Sequence, residues 1–220
     1  MSAQAGHLVL LGDSIFDNGA YVSGGPDVVS QLRSHLPQDW EASLLAVDGA
    51  VAADVARQVA RIPPGATHLA VSAGGNDALR ASSILSEEAS SVADAVQRLA
   101  VARERFSAVY EEMVTTVLHQ LRPTALCTIY DANYPEPQAK IITAALTLFN
   151  DVITRSAFRR GLPLIDLRLI CDTPEDYANP IEPSVRGGEK IARAIMQFLQ
   201  WSSGMANSRV IASVSLGSTA

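Results

Sequence analysis

At 220 residues, of which 48% are hydrophobic, the chain is long enough for one α/β domain with a full core. Its net charge of −6, without any basic stripe, excludes a nucleic-acid-binding surface. Apolar runs no longer than a strand exclude membrane insertion, which needs about 20 consecutive apolar residues.

Motif-bearing sequence starts close behind Met1, with no basic leader or small-residue cleavage site, and predicts a cytoplasmic protein. The first apolar run, His7-Leu8-Val9-Leu10-Leu11, leads directly into Gly12-Asp13-Ser14-Ile15-Phe16-Asp17-Asn18-Gly19. A buried strand that ends in Gly-Asp-Ser puts a hydroxyl at the carboxyl edge of a parallel sheet, where ligands bind in open α/β folds. The unpaired N–H groups of the following helix favour negative charge at that edge. Asp-Ser after a strand is also a common cap or turn, so alone the segment leaves both readings open.

Five apolar segments, rich in Val, Leu and Ile, predict strands at 7–12, 43–48, 67–73, 124–130 and 162–167. Their near-continuous apolar character suggests parallel strands covered on both faces. Helical patterns fall between them, at 26–36, 51–61, 90–121, 138–160 and 184–200. In the long stretch, Val92, Val96, Leu99, Phe106, Tyr110, Met113 and Val117 form an apolar stripe. Arg103 interrupts the stripe and leaves open whether one helix or two is present. The second and third strands run into Gly49 and into Gly74-Gly75-Asn76-Asp77, so three polar, glycine-bearing loops can meet at one sheet edge. Tyr130-Asp131-Ala132-Asn133-Tyr134-Pro135-Glu136-Pro137 is a loop at that edge, either a plain connection or a wall of the site. Cys127 and Cys171 lack metal-ligand spacing and read as reduced, buried thiols. One domain is expected over 1–200; the tail, 201–220, is small and polar and is read as disordered or surface-lying.

In its three blocks, Gly12-Asp13-Ser14 with Gly19, then Gly49, then Gly74-x-Asn76-Asp77, the chain resembles the SGNH hydrolases, the GDSL-type esterases and lipases. The resemblance runs from about His7 to about Leu199. It implies a flavodoxin-like, three-layer α/β/α fold with a five-stranded parallel sheet in the order 2-1-3-4-5. It also implies Ser14 as nucleophile, with the backbone N–H groups of Ser14 and Gly49 and the side-chain amide of Asn76 as oxyanion donors. The physical reasons agree: a glycine amide approaches substrate closely, and an Asn amide donates without charge. Asp13 and Asp77 are expected to brace their loops by accepting backbone N–H bonds. No cofactor is expected.

The base is where the chain departs from the resemblance. SGNH hydrolases carry Asp-x-x-His before the last helix; here the stretch reads Asn179-Pro180-Ile181-Glu182-Pro183-Ser184-Val185-Arg186-Gly187. Glu182 stands at the histidine position and Asn179 at the aspartate position. A carboxylate base suits an uncharged amide neighbour, just as an imidazole suits a carboxylate. The four histidines lie at strand starts (His7, His68) or late in helices (His35, His119), away from the active edge. Two readings follow. In one, Ser14 and Glu182, oriented by Asn179, hydrolyse a small acyl ester such as an acetyl or short-chain ester. In the other, a scaffold without a competent base binds an ester- or sugar-like ligand. Asp172, Glu175 and Asp176 give a weaker, metal-binding alternative. Oligomeric state is not encoded legibly.

Overall fold

The computed structural model describes residues 5–201 and 209–211. Eight strands are β1 (Gly6–Gly12), β2 (Trp40–Leu44), β3 (His68–Ser72), β4 (Thr124–Cys127), β5 (Leu164–Ile165), β6 (Tyr177–Asn179), β7 (Glu182–Pro183) and β8 (Val210–Ile211). The α-helices are α1 (Val28–His35), α2 (Val55–Val59), α3 (Gly75–Ala81), α4 (Val92–Leu118), α5 (Gln138–Arg159), α6 (Leu167–Ile170) and α7 (Val185–Trp201). A parallel sheet in the order β2-β1-β3-β4-β5-β8 forms the middle layer, and β6 and β7 make a separate antiparallel hairpin.

Alternation along β1 builds both halves of the core. Leu8 and Leu10 pack with α1 and α7 residues such as Leu32, Ile191, Ile195 and Phe198. Val9 and Leu11 face the other way, onto Val55 of α2, Tyr110, Met113 and Val114 of α4, and Ile153 of α5. All four β1 side chains are fully buried, so their run is uniformly apolar where a half-exposed strand would alternate. Side-chain caps start three of the helices: Asp27 accepts from the Ser30 amide at α1, Ser91 from the Asp94 amide at α4, and Asp166 from the Arg168 amide at α6.

The doubly covered parallel sheet and its first five positions match expectation; the sheet has a sixth strand. β8 lies in the tail expected to be disordered or on the surface, and its Ile211 is buried beside β5. A two-residue strand inside a polar tail has no periodicity to reveal it. The remainder of that tail lies outside the described residues. β2 sits earlier than the expected 43–48 because Trp40 packs its ring over Gly6 and beside His68. Beyond Leu44 the regular strand ends, although the amides of Leu45, Ala46 and Val47 still donate to β1 carbonyls, and the Val47 side chain is exposed.

The stretch 90–121 forms one helix, α4, and not two. Arg103 causes no break because its guanidinium bonds Asp151 of α5 at 2.7 Å along the seam between the helices. Val92 and Val96, expected in the buried stripe, are exposed on the first turns of α4. By length and composition α5 is apolar enough to cross a membrane. Here its Leu146, Phe149, Val152, Ile153 and Ala157 are buried in the α4-side core.

Candidate active site

Three loops at the carboxyl ends of β1, β2 and β3 meet the β6–β7 hairpin at one edge of the sheet. The turn after β1 is possible only with Gly12. Its φ is +124°, and a Cβ there would lie 1.7 Å from the Ser72 carbonyl oxygen. The next amide, of Asp13, donates to that same oxygen at 3.0 Å. Gln58, buried on α2, clasps Gly12 from the side. Its Oε1 accepts from the Gly12 amide at 2.7 Å and its Nε2 donates to the Gly12 carbonyl at 2.8 Å. The chain then turns as the amides of Phe16 and Asp17 donate to the Asp13 carbonyl, and Ser14 is held in the bend, buried but lining a cavity.

Ser14 Oγ donates to Glu182 Oε1 at 3.0 Å. The two residues are 168 apart in sequence, so their meeting is a product of the fold. Glu182 Oε2 is buried and has no hydrogen-bond partner. Burial raises the Glu182 carboxyl from its ordinary 4.5 to about 7; the Ser14 hydrogen bond opposes this and the Asp48 charge adds to it. Asp13 is pushed higher, to about 8, by burial first and by the charges of Glu182 and Asp77, against the Ile15 amide that bonds its Oδ1 at 3.2 Å. Burial thus pushes both carboxyls up from the ordinary range towards neutrality.

The hairpin that carries Glu182 is fastened on several sides. Asn18 Nδ2 donates to the Pro183 carbonyl at 3.2 Å, Tyr130 Oη to the Ile181 carbonyl at 2.6 Å, and the Asn133 amide to the Pro180 carbonyl at 2.8 Å. At its base lies Asp176, fully buried, whose Oδ2 accepts from Lys190 Nζ at 2.7 Å and from the Asp172 and Thr173 amides. The Ser184 amide donates to the Asp176 carbonyl at 2.9 Å. Gly187 passes so close to that carbonyl that a Cβ would lie 2.1 Å from its oxygen. Lys190 also bonds Asp172 at 2.9 Å. A lysine thus already sits between two of the three acids considered for a metal. Among the described residues no group of three or more His, Cys, Asp and Glu is arranged to hold an ion.

Asn179 is brought to the hairpin but not to the Glu182 carboxylate. Its Oδ1 accepts from the Ile181 amide at 2.9 Å, closing its own turn, while Glu182 Oε2 stays unpartnered. The orienting contact expected from the sequence is not made. Asn76 lines the cavity with Ser14, and one of its amide hydrogens goes to the Ala50 carbonyl at 3.0 Å, leaving the second for a ligand. Gly49, at φ +78°, lies on the loop that this bond holds and not on the cavity wall. The Ala52 amide donates to Asp77 Oδ2 at 2.9 Å and the Asp48 amide to Asp17 Oδ2 at 2.9 Å, so acids brace that loop as expected. Asp13 serves its own turn in the same way through Ile15.

A cavity of about 390 Å3 opens at Ser14. Tyr130, Ala132 and Tyr134 line it, so the loop after β4 is a wall of the site as well as a fastening for the hairpin. α3 and the 3-10 turn Ser82–Ser86 form another part of the wall. Sequence reading missed this segment, whose short mix of Ala, Ser and Leu lacks a sustained period. Gln58 and Lys190 were missed too, as was the bond from Tyr130 to the hairpin. A glutamine or lysine in a helix reads as surface, and nothing in the local pattern of either residue points to its buried partner. None of the four histidines lines the cavity; His7 bonds Ser43 Oγ, and His35 bonds Glu189.

An extracellular lipase from Streptomyces rimosus has a similar structure, with a TM-score of 0.65 at 18% identity over 90% of this chain and 100% of that one. For phospholipase A1 from Streptomyces albidoflavus the values are 0.64, 17%, 91% and 100%. An α/β hydrolase from the metagenome of Lake Arreo gives 0.66 at 21% identity, covering 91% of this chain and 99% of that one. At such identities these likenesses show a shared fold. No curated protein matches the sequence. The family described as GDSL-like Lipase/Acylhydrolase matches residues 10–189, which takes in Ser14, Gly49, Asn76 and Glu182 alike. By that match, over most of its length, the chain belongs to the GDSL-like lipase/acylhydrolase family.

Proposed function

We propose that the protein is a serine acylhydrolase that cleaves carboxylic esters through an acyl-Ser14 intermediate, with Glu182 as its base. The observation that carries this reading is the 3.0 Å hydrogen bond from Ser14 Oγ to Glu182 Oε1. A general base must lie within such reach of the proton it takes. Its pKa of about 7 suits the task, because at neutral pH much of it is ionised while its basicity is far above that of a free carboxylate. The family and the lipase and esterase folds it resembles support ester cleavage as the reaction class.

In the first half-reaction Ser14 Oγ forms a bond to the ester carbonyl carbon as its proton passes to Glu182 Oε1. The carbonyl π pair moves onto oxygen, where the Ser14 amide and Asn76 Nδ2, both at the cavity, stabilise it. When the pair returns, the bond to the leaving alkoxide breaks and the alkoxide takes the proton from Glu182. Water then repeats the sequence on the acyl-serine, releasing the carboxylic acid and restoring Ser14. Asn179 serves by holding the turn that aims Glu182, not by bonding the carboxylate. An activated phosphonate tests the nucleophile. It should add mass at Ser14 and at no other residue, and Ser14→Ala with full esterase activity would overturn the assignment.

A further inference from the structure

We infer that the acyl half of the substrate is an unbranched aliphatic chain of medium length, roughly eight to twelve carbons, seated in the cavity beside Ser14; this rests on the acylhydrolase reading. An acetyl or short-chain group, expected from the sequence, would leave most of that cavity to water. An apolar cavity of about 150 Å3 takes up one benzene ring, and the one here measures about 390 Å3. Its depth comes from small residues on three elements: Ala78 of α3, Ala102 of α4 and Ala145 of α5 all line it. Around them Leu146 and Phe149 are buried walls. Leu79, Leu85 and Ile141 line the same space yet remain 43%, 40% and 53% exposed, which marks them as its rim.

Ser14, Asn76, Asp13 and Glu182 gather where the carbonyl would react, whereas every lining residue of α4 and α5 except Gln138 is apolar. Among the described lining residues there is no Lys, Arg or His. The lining carboxyls, Asp13 and Glu182, are the sequence neighbour and the hydrogen-bond partner of Ser14, so neither lies along the α4 and α5 parts of the wall. A polar head and an apolar tail therefore fit this space in one orientation, with the ester carbon at Ser14 and the chain running towards the rim.

The test is a series of straight-chain p-nitrophenyl esters from acetate to dodecanoate, read as kcat/KM. Roughly fourfold should be gained per methylene, the change that burying one CH2 corresponds to, until the chain reaches about eight carbons. Ala145→Trp, which puts an indole into the space from the α5 side, should lower the octanoate-to-acetate ratio at least tenfold. Acetate as the best substrate, or a ratio that Ala145→Trp leaves unmoved, would overturn the inference while leaving the serine mechanism standing. Calorimetry of 1-alkanols with Ser14→Ala separates the two readings. Octanol binding much more tightly than ethanol, in a protein whose wild type turns over no ester, would keep the chain site and discard the hydrolase. Equal binding of octanol and ethanol would discard the chain site.

Discussion

Replacing Glu182 with Gln should impair catalysis and stabilise the fold in the same molecule. Gln keeps an acceptor for Ser14 Oγ at the 3.0 Å contact but cannot take its proton. The loss of a positioned base corresponds to about 10²–10⁴ in rate. The stability effect follows from the carboxyl being raised from 4.5 to about 7 by burial. The folded chain then holds a proton that the unfolded chain has released, so this contribution is intact below about pH 4.5 and is lost as pH rises through 7. Between pH 5 and pH 8 the penalty on the wild type grows by about 2–3 kcal/mol. In a chain of this size that corresponds to about 5–10 °C in Tm. Calorimetry of both proteins should therefore find the Tm of Glu182→Gln gaining on the wild type by that amount from pH 5 to pH 8. Any constant cost of the amide cancels in the comparison. A Tm difference that does not change with pH, or unaltered ester turnover, would refute the reasoning.

Asn76→Ala should lower kcat by about 10²–10³ if its free amide hydrogen meets the oxyanion; a rise in KM alone would limit Asn76 to holding the Ala50 carbonyl. Lys190→Met leaves the fully buried Asp176 without its ammonium. It should cost about 3–5 kcal/mol, or about 10 °C in Tm, in thermal unfolding at pH 7. An unchanged Tm would mean that the exposed side of the cluster, with Arg186 3.3 Å from Asp176, suffices. The paired exchange Asn179→Asp with Glu182→His should hydrolyse esters no faster than Glu182→His alone, since position 179 bonds the Ile181 amide. A clear gain in the pair would show that the turn can reopen to form an Asp–His couple.

Four of the candidate site residues were legible because they follow strands: Gly12, Ser14, Gly49 and Asn76 come where an apolar run gives way to turn residues. Glu182 follows no such run and was legible only through the register of the residues around it, Pro183, Ser184 and Gly187. What was not legible is how the boundaries are held. Gln58 clasps Gly12 from a helix two strands on, and Lys190 neutralises Asp176 beneath the Glu182 hairpin. Both pairings join different elements, and both use side chains that are ordinarily on the surface. Asn179 failed as an orienting residue for a local reason. Its amide is captured by a backbone N–H two residues on, a contact Asn makes readily in turns. The substrate cavity was illegible because alanines at positions 78, 102 and 145 create it, and small residues leave no periodic signal. Short apolar pieces such as β8 and the hairpin strands are set by their neighbours and not by their own pattern.

The central claim, that Glu182 activates Ser14, is tested most directly by the pH dependence of Ser14 phosphonylation. The rate of labelling by a neutral phosphonate, followed by mass spectrometry, reads the nucleophile without any leaving-group or deacylation step. With Glu182 as base the rate should rise about tenfold per pH unit below 7 and level off above it, following the carboxyl raised to about 7. Glu182→Gln should be slow throughout and lack the inflection. Labelling that is flat with pH, or that proceeds equally fast in Glu182→Gln, would contradict the account.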